Sequence, residues 1–356
     1  MSWHGILGHD AVVERFRRAL HRGRLASSFL FIGPEGIGKR LFAHKLAQAL
    51  LCQARPEEAL DPCEECPACR QVLAAAHPDF EVVVKPADKS FIPVELLIGD
   101  KEHRMREGLC RNLSLRPFMG GRRIAVIDDA DFFNAEGANC LLKTLEEPPP
   151  RSVLILIGTS PARQLPTIRS RCQLIRFEPL PAEIVAELLV ARGIVADAAQ
   201  ARRLAQSSEG SLRRAEELAD PALGAFRGTL YSRLADPHFD SLELSKLTAE
   251  FVDEAGREAA ARRRRLRQVV GLAANFYRQL LGMISGGSAG GVATDGEILR
   301  AVERWQVGLS ATAGSLDRCL ETAEQIDRNA NQSTLIECWL DDLAAAGSTA
   351  ILRKDT

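Results

Sequence analysis

Four of the nine cysteines, Cys52, Cys63, Cys66 and Cys69, lie within an eighteen-residue stretch of the chain. Four thiolates, three of them separated by two intervening residues each, suit a tetrahedral Zn²⁺ site, and four protein ligands would leave the metal no open position. The sequence therefore predicts a structural zinc module over residues 52–69, in which Pro62 and Pro67 are expected to keep the cysteine knuckle out of regular helix. A redox pair or buried free thiols is the alternative.

A second candidate site is the segment Gly33-Pro34-Glu35-Gly36-Ile37-Gly38-Lys39, which has the spacing of a phosphate-binding Walker A loop. Gly33, Gly36 and Gly38 would let backbone N–H groups face phosphate oxygens, and Lys39 would add a positive charge. The next residue is usually Ser or Thr, whose hydroxyl helps to hold Mg²⁺, but here it is Arg40, which cannot ligate a cation. ATP is thus a candidate ligand, whereas magnesium is in doubt. The alternative is a glycine turn that binds no nucleotide.

Two acids follow an apolar segment farther along the chain. Asp128 and Asp129 come directly after Arg123–Ile127, as in a Walker B strand, where one carboxylate orients the metal and its neighbour polarises water. An ATPase usually has Glu at the second place, and the side chain of Asp129 is one methylene shorter. A solvated strand end is the alternative.

The elements around these motifs predict the fold class. Four apolar segments read as strands, and helical segments separate them; the predicted strands are 29–32, 81–84, 123–127 and 153–157. This alternation predicts an α/β domain with a parallel sheet covered on both faces. After Phe177 helical patterns continue to the end of the chain, with the glycine-rich break SGGSAGGVA after Ile284. We therefore predict a P-loop core at 1–178, a small helical domain at 179–222 and a helical domain at 223–356.

Composition restricts the class of protein less strongly. The 46 basic and 47 acidic residues create no overall positive field that would indicate nucleic acid. The run Arg262–Arg265 could contact DNA, although a solvated helix face is the preferred interpretation. The apolar runs are only strand-sized, and residues 1–10 have no signal-peptide pattern, so we expect a cytoplasmic protein without a membrane span.

Several longer segments, in this order, resemble the clamp-loader branch of AAA+ proteins. They are the stretch from Ile6 to Lys39, the four-cysteine insertion ending in HPDF, ANCLLKTLEEPPP, and LPTIRSRCQLIRFEPL. The resemblance is strong from Trp3 to about Ala215 and looser beyond. It implies an AAA+ P-loop domain with a zinc-binding insertion, followed by a helical lid and an all-α C-terminal collar.

The resemblance also implies roles for three further residues. Arg171, in Ser170-Arg171-Cys172, resembles the arginine finger that reaches the ATP of a neighbouring subunit, a role that suits a planar cation. Thr159 matches the sensor-1 region, and Arg213 in Gly-Ser-Leu-Arg matches sensor 2. Their alternatives are a surface salt bridge for Arg171, a turn cap for Thr159 and a solvent-facing helix position for Arg213.

Together these features imply a subunit of the bacterial DNA polymerase III holoenzyme with no polymerase activity and weak or no ATPase activity of its own. Its implied partners are the tau/gamma and delta subunits, the sliding clamp indirectly, and primed DNA within the complex. The alternative is a tau/gamma-like motor that hydrolyses ATP with Lys39, Asp128 and Asp129. An unrelated P-loop ATPase would leave the Ser-Arg-Cys motif and the cysteine insertion without a role.

Overall fold

The computed structural model describes residues 3–286, 296–304 and 309–351, with side chains up to residue 347. The chain forms two compact units, Met1–Ala215 and Glu216–Thr356, and the boundary falls within a helix, Leu212–Ala219. The predicted division into three domains remains a prediction. Most of the predicted glycine-rich break lies outside the described residues.

A five-stranded parallel sheet forms the centre of the first unit, in the spatial order β2-β3-β4-β1-β5. The strands are β1 (Ser28–Ile32), β2 (Phe80–Val83), β3 (Arg123–Ile127), β4 (Ser152–Gly158) and β5 (Gln173–Arg176). The α/β class and the parallel sheet are thus confirmed. In a parallel sheet the loops that follow the strands gather at the carboxyl edge, and this edge carries the candidate nucleotide residues.

The four predicted strands are present to within one or two residues, but β5 was not predicted. Of its four residues only Ile175 is buried, and Gln173 and Arg176 are exposed. An edge strand of four residues with one buried side chain gives no periodic signal.

Helices surround the sheet and continue beyond it in the first unit. They are α1 (Asp10–His21), α2 (Lys39–Leu51), α3 (Pro67–Leu73), α4 (Val94–Ile98), α5 (Leu109–Ser114), α6 (Ala135–Glu146), α7 (Pro166–Arg169), α8 (Ala182–Ala191), α9 (Ala198–Ser207) and α10 (Leu212–Ala219). The last three occupy the segment predicted to form the lid.

Alternation along β1 explains why both faces of the sheet are covered. Phe29 and Phe31 point to one face and pack in an aromatic cluster with Phe16 of α1 and Phe42 of α2, at ring centroid distances of 5.0 to 6.0 Å. Leu30 and Ile32 belong to the core on the second face, beneath α4 to α6. Burial on both faces fixes the position of the loop that follows β1.

The second unit is helical throughout its described residues. Its helices are α11 (Pro221–Leu234), α12 (Ser241–Asp253), α13 (Ala259–Ile284), α14 (Gly296–Arg304), α15 (Leu309–Asp327) and α16 (Gln332–Ile351). Its core includes Phe276 and Tyr277 of α13, Cys319 of α15 and Trp339 of α16. Within the described part of the chain, no helix is both long and apolar enough to cross a bilayer.

Candidate nucleotide and metal sites

The predicted phosphate-binding loop connects β1 to α2 and borders a cavity of about 230 Å³. The cavity lining includes seven of the predicted site residues, Gly36, Gly38, Lys39, Asp128, Asp129, Thr159 and Arg213, and also the unusual Arg40. Gly33 is not part of the lining; it begins the loop after β1. The loop and its cavity therefore occupy the carboxyl edge of the sheet.

Gly36 requires the conformation that glycine favours. Its φ is +73°, and a Cβ added there would lie 2.4 Å from the Cβ of Arg213 and 2.6 Å from the Oγ of Ser211. The backbone N–H of Leu212 donates to the carbonyl of Gly36 at 3.1 Å, and the Ser211 hydroxyl donates to the carbonyl of Glu35 at 2.7 Å. The start of α10 thus packs directly on the loop, where a side chain at position 36 would not fit.

Lys39, the first residue of α2, is 7% exposed and lines the cavity. Its Nζ donates to the carbonyls of Gly33 and Pro34, each at 2.5 Å. Burial lowers the pKa of Lys39, and the carboxylates of Glu35 and Asp128 oppose that shift. The lysine is therefore a partly desolvated cation held beside the loop, the arrangement that strengthens attraction for a phosphate anion.

Arg40 and Asp128 face each other in the same cavity. The Nη1 of Arg40 lies 3.5 Å from the Oδ2 of Asp128, and the arginine side chain is 55% exposed. A guanidinium has no lone pair to offer, while Mg²⁺ needs oxygen ligands in near-octahedral geometry. With no hydroxyl at position 40 and a cation beside Asp128, these residues do not fit a magnesium ion held in the usual P-loop manner.

Asp129 adopts the left-handed backbone conformation, with φ +61°. Its backbone N–H donates to the Oδ1 of Asp128 at 3.1 Å. Burial, and then the negative charge of Asp128, raise the pKa of Asp129 to about 6, although Lys85 acts in the opposite direction. Asp129 thus lines the cavity, with its carboxylate in an environment that disfavours the charged form.

Asp131 is a cavity residue that sequence reasoning missed. Its Oδ2 accepts hydrogen bonds from the backbone N–H and the hydroxyl of Thr159, at 2.8 and 2.6 Å, and its Oδ1 accepts one from the amide of the buried Gln164. This carboxylate holds the end of β4 and fixes the Thr159 side chain. The third acid of the Asp-Asp-Ala-Asp stretch was the available signal.

Arg213 lines the cavity from α10 and donates from Nη1 to the Oε2 of Glu35 at 3.1 Å. Its side chain is 49% exposed. The ion pair joins the predicted sensor-2 residue to the phosphate-binding loop. Glu35 and Arg213 both line the cavity.

Arg171 lies apart from these cavity residues. It precedes β5, so it belongs to the amino edge of the sheet, and it does not line the cavity at the carboxyl edge. Its Nε and Nη2 donate to one oxygen of Glu146, at 2.9 and 2.5 Å, and its Nη1 donates to the carbonyl of Thr167 at 3.1 Å. The side chain remains 33% exposed. The guanidinium is thus a surface group of its own unit.

The four clustered cysteines come together in space, with all four Sγ atoms within 4.8 Å of one another. The backbone N–H groups of Cys66 and Cys69 donate to the Sγ atoms of Cys63 and Cys66, at 3.3 and 3.4 Å. Zinc–sulfur bonds of about 2.3 Å in a tetrahedron require sulfurs roughly 3.8 Å apart. The Cys63 and Cys69 sulfurs are 3.9 Å apart. The cluster therefore fits a four-thiolate zinc ion.

The thiols of this cluster differ in pKa. For Cys66, burial acts to raise the pKa, but N–H donors from Cys69 and Gln53 outweigh it and lower the pKa to about 6. Burial raises the pKa of Cys69, which lies inside the cluster. Cys66 caps α3, and Pro67 occupies the first helical turn. The expectation that Pro67 keeps the knuckle out of helix is wrong, because proline is well tolerated at this position.

Polar contacts attach the cysteine module to the rest of the unit. The buried Gln48 of α2 donates to the carbonyl of Cys69 at 2.9 Å, and the indole N–H of Trp3 donates to the carbonyl of Leu60 at 2.8 Å. Arg122, next to β3, donates to both carboxylate oxygens of Glu57 at 2.6 and 2.8 Å. The module therefore braces the helix that begins with Lys39.

The basic run at the start of α13 is largely engaged within its own unit. Arg262 pairs with Asp253 at 3.0 Å, and Arg265 pairs with Asp220 at 3.4 Å and lies over the ring of Phe251. The interpretation of this run as a solvated helix face stays a prediction.

Part of the chain is similar in sequence to known proteins. Residues 8–181 match the family described as "DNA polymerase III, delta subunit". The chain is 37% identical over 180 residues to the DNA polymerase III subunit delta' of Pseudomonas aeruginosa and 30% identical over 183 residues to that of Bacillus subtilis, covering 51% of each protein in both alignments. It is 26% identical over 229 residues to DNA polymerase III subunit tau of Bacillus subtilis, covering 63% of this chain and 38% of tau.

The alignments with the two delta' proteins thus span about half the length of those relatives. The matched part contains the sheet, the phosphate-binding loop, the cysteine module and Arg171. Residues 8–181 of this chain are therefore similar to the DNA polymerase III delta-subunit family and, among the relatives compared, to two delta' proteins.

Proposed function

We propose that this protein is a clamp-loader subunit of a bacterial DNA polymerase III holoenzyme that supplies Arg171 to the ATP site of a neighbouring tau/gamma subunit. In this role it helps to load the sliding clamp onto primed DNA, together with tau/gamma and delta subunits, in the cytoplasm. Its own chemistry includes no polymerisation, and ATP is hydrolysed on the neighbouring subunit.

The position of Arg171 is the observation that carries this proposal. In the sheet, Ile32 pairs with Arg176, so the loop after β1 lies at the level of the end of β5. β5 begins at Gln173, three residues before Arg176, and a strand rises about 3.3 Å per residue. Arg171 precedes Gln173, so it lies roughly 10 Å or more along the strand direction from the loop after β1. The arginine cannot serve the cavity of its own chain, but it is exposed enough to serve another.

The ion pair with Glu146 is compatible with such a role. Both side chains are partly exposed, at 33% and 50%, and exposed pairs contribute only about 0–1 kcal/mol. Triphosphate oxygens carry more negative charge and match the planar fork of a guanidinium. Arg171 can therefore exchange Glu146 for a phosphate at little cost.

The test is to reconstitute the loader with its tau/gamma and delta subunits and to measure DNA-stimulated ATPase and clamp loading with Arg171→Ala. An arginine finger contributes about 10³-fold or more at the site it completes, so the ATPase of that site should be lost. Arg169→Ala is a matched control, because Arg169 is an exposed arginine two residues away. Unchanged ATPase with Arg171→Ala would contradict the proposal.

The alternative is a tau/gamma-like motor, favoured by one observation: Lys39, Asp128 and Asp129 line the same cavity. Lys39→Ala introduced only in this subunit separates the two functions. A motor would lose most of the ATPase of the assembled complex, whereas a subunit that acts through Arg171 would keep it.

A further inference from the structure

The cavity beside the phosphate-binding loop combines an intact anion site with a missing metal site. Gly36 and Gly38 keep the positive φ angles that turn the loop, and Lys39 remains buried at its end. The cavity of about 230 Å³ is far larger than the roughly 10–15 Å³ that one water needs. The part that receives a phosphate chain is therefore preserved, although the hydroxyl that would help to hold magnesium is absent.

Arg40 occupies the place where the metal would act. It lines the cavity, and its Nη1 lies 3.5 Å from the Oδ2 of Asp128, the carboxylate that would otherwise orient magnesium. A positive charge at this point repels a divalent cation and attracts phosphate oxygens. Unlike Mg²⁺, a guanidinium can also donate two parallel hydrogen bonds to a phosphate.

We propose that this cavity binds the triphosphate chain of ATP without magnesium, with the guanidinium of Arg40 in the position of the metal ion. Asp128 then holds Arg40, and Arg40 contacts the phosphates, in the same order in which a carboxylate, a metal ion and a phosphate follow one another in a P-loop ATPase. The Arg40 side chain is 55% exposed and lies 3.5 Å from an Asp128 side chain that is 17% exposed, so the guanidinium can adjust its position when the anion arrives.

This property goes beyond the proposed role of Arg171, which does not require any nucleotide on this chain. The two can be separated experimentally, because binding to the purified chain does not involve a neighbouring subunit. A failure of one therefore does not imply a failure of the other.

The experiment is calorimetric titration of the purified full chain with ATP, once with excess Mg²⁺ and once with EDTA. The wild-type dissociation constants should agree within about twofold, because ionic hydrogen bonds from Arg40 replace those of the metal. Arg40→Ser restores a metal-ligating hydroxyl and removes the cation, so its binding in EDTA should be weaker than with Mg²⁺ by about tenfold or more. Lys39→Ala should weaken binding under both conditions.

A matched control is Arg202→Ser, since Arg202 is an exposed arginine outside the cavity. It should behave as wild type, and thermal melting checks that each variant is folded. Three results would overturn the proposal: wild-type binding that requires magnesium, wild-type binding that is absent under both conditions, or Arg40→Ser binding that stays independent of magnesium.

Discussion

The guanidinium of Arg171 donates twice to a single carboxylate oxygen of Glu146, at 2.9 and 2.5 Å, and so joins the segment that leads into β5 to the end of α6. The remaining exposure of both side chains means that water competes for this pair. Glu146 therefore orients the arginine at the surface and contributes little to the stability of the fold.

Glu146→Gln should consequently change the free energy of unfolding by no more than about 1 kcal/mol and preserve the ATPase of the assembled loader. Arg171→Lys should lose that ATPase, because an ammonium cannot make the planar two-point contact of a guanidinium. Chemical denaturation and ATPase assays check the two expectations. If Glu146→Gln lowered the ATPase as much as Arg171→Ala does, the contact between Arg171 and Glu146 within this chain would be the important one, and not a contact with a neighbouring subunit.

Zinc should be present at about one ion per chain, bound by the four clustered cysteines, and its removal should destabilise the first unit. A ligand at 1,000 times its dissociation constant contributes about 4 kcal/mol, which corresponds to a fall in melting temperature of roughly 10 °C. Metal analysis and thermal melting after chelation measure both quantities.

Cys66→Ser should reproduce the loss of zinc, since it removes the ligand that also caps α3. Cys140→Ser is the control, because Cys140 lies outside the cluster. Equal zinc content in Cys66→Ser and the wild type would exclude the four-thiolate site.

Asp129 should make stability depend on pH. Its pKa is raised from 3.8 to about 6 in the folded chain, so between about pH 4 and 6 the folded state binds more protons than the unfolded state. Stability contributed by this group is therefore lost as the pH rises through that window. Asp129→Asn removes the buried charge and should stabilise the chain at pH 7.5 by about 1–2 kcal/mol.

At pH 4 that gain should be much smaller, because Asp129 is then protonated in the folded wild type. The difference between variant and wild type at each pH isolates this group from buried histidines such as His9, whose lowered pKa acts in the opposite sense. Any gain from asparagine in the left-handed conformation is independent of pH and cancels between the two conditions. A gain of equal size at both pH values would contradict the shifted pKa.

The sequence was sufficient for the parts of the site that depend on local pattern. The loop from Gly33 to Lys39, the acids after β3 and the cysteine spacing each lie within a short segment, so residue type and spacing identify them. The contacts of Arg40 with Asp128, and of Gly36 with α10, depend on segments far apart in the chain. Sequence patterns do not contain those distances, and β5 was missed because its four residues, two polar and two apolar, are too few to show a period.

Asp131 shows the same limit most clearly, and it supports a final prediction. Its carboxylate accepts two hydrogen bonds from Thr159 and one from Gln164, residues 28 and 33 positions away. Asp131→Asn replaces an oxygen acceptor by an NH₂ donor, which would then face other donors. Losing a hydrogen bond to a charged group costs about 1.5–3 kcal/mol.

We therefore expect Asp131→Asn to lower the free energy of unfolding by about that amount and also to weaken ATP binding, because Thr159 lines the cavity. Asp88→Asn is a matched control at a side chain that is 76% exposed, and it should change neither quantity much. Urea denaturation and calorimetric titration on the same samples measure both effects. If Asp131→Asn lost stability but kept full ATP binding, the carboxylate would support the end of β4 without positioning Thr159 for a nucleotide.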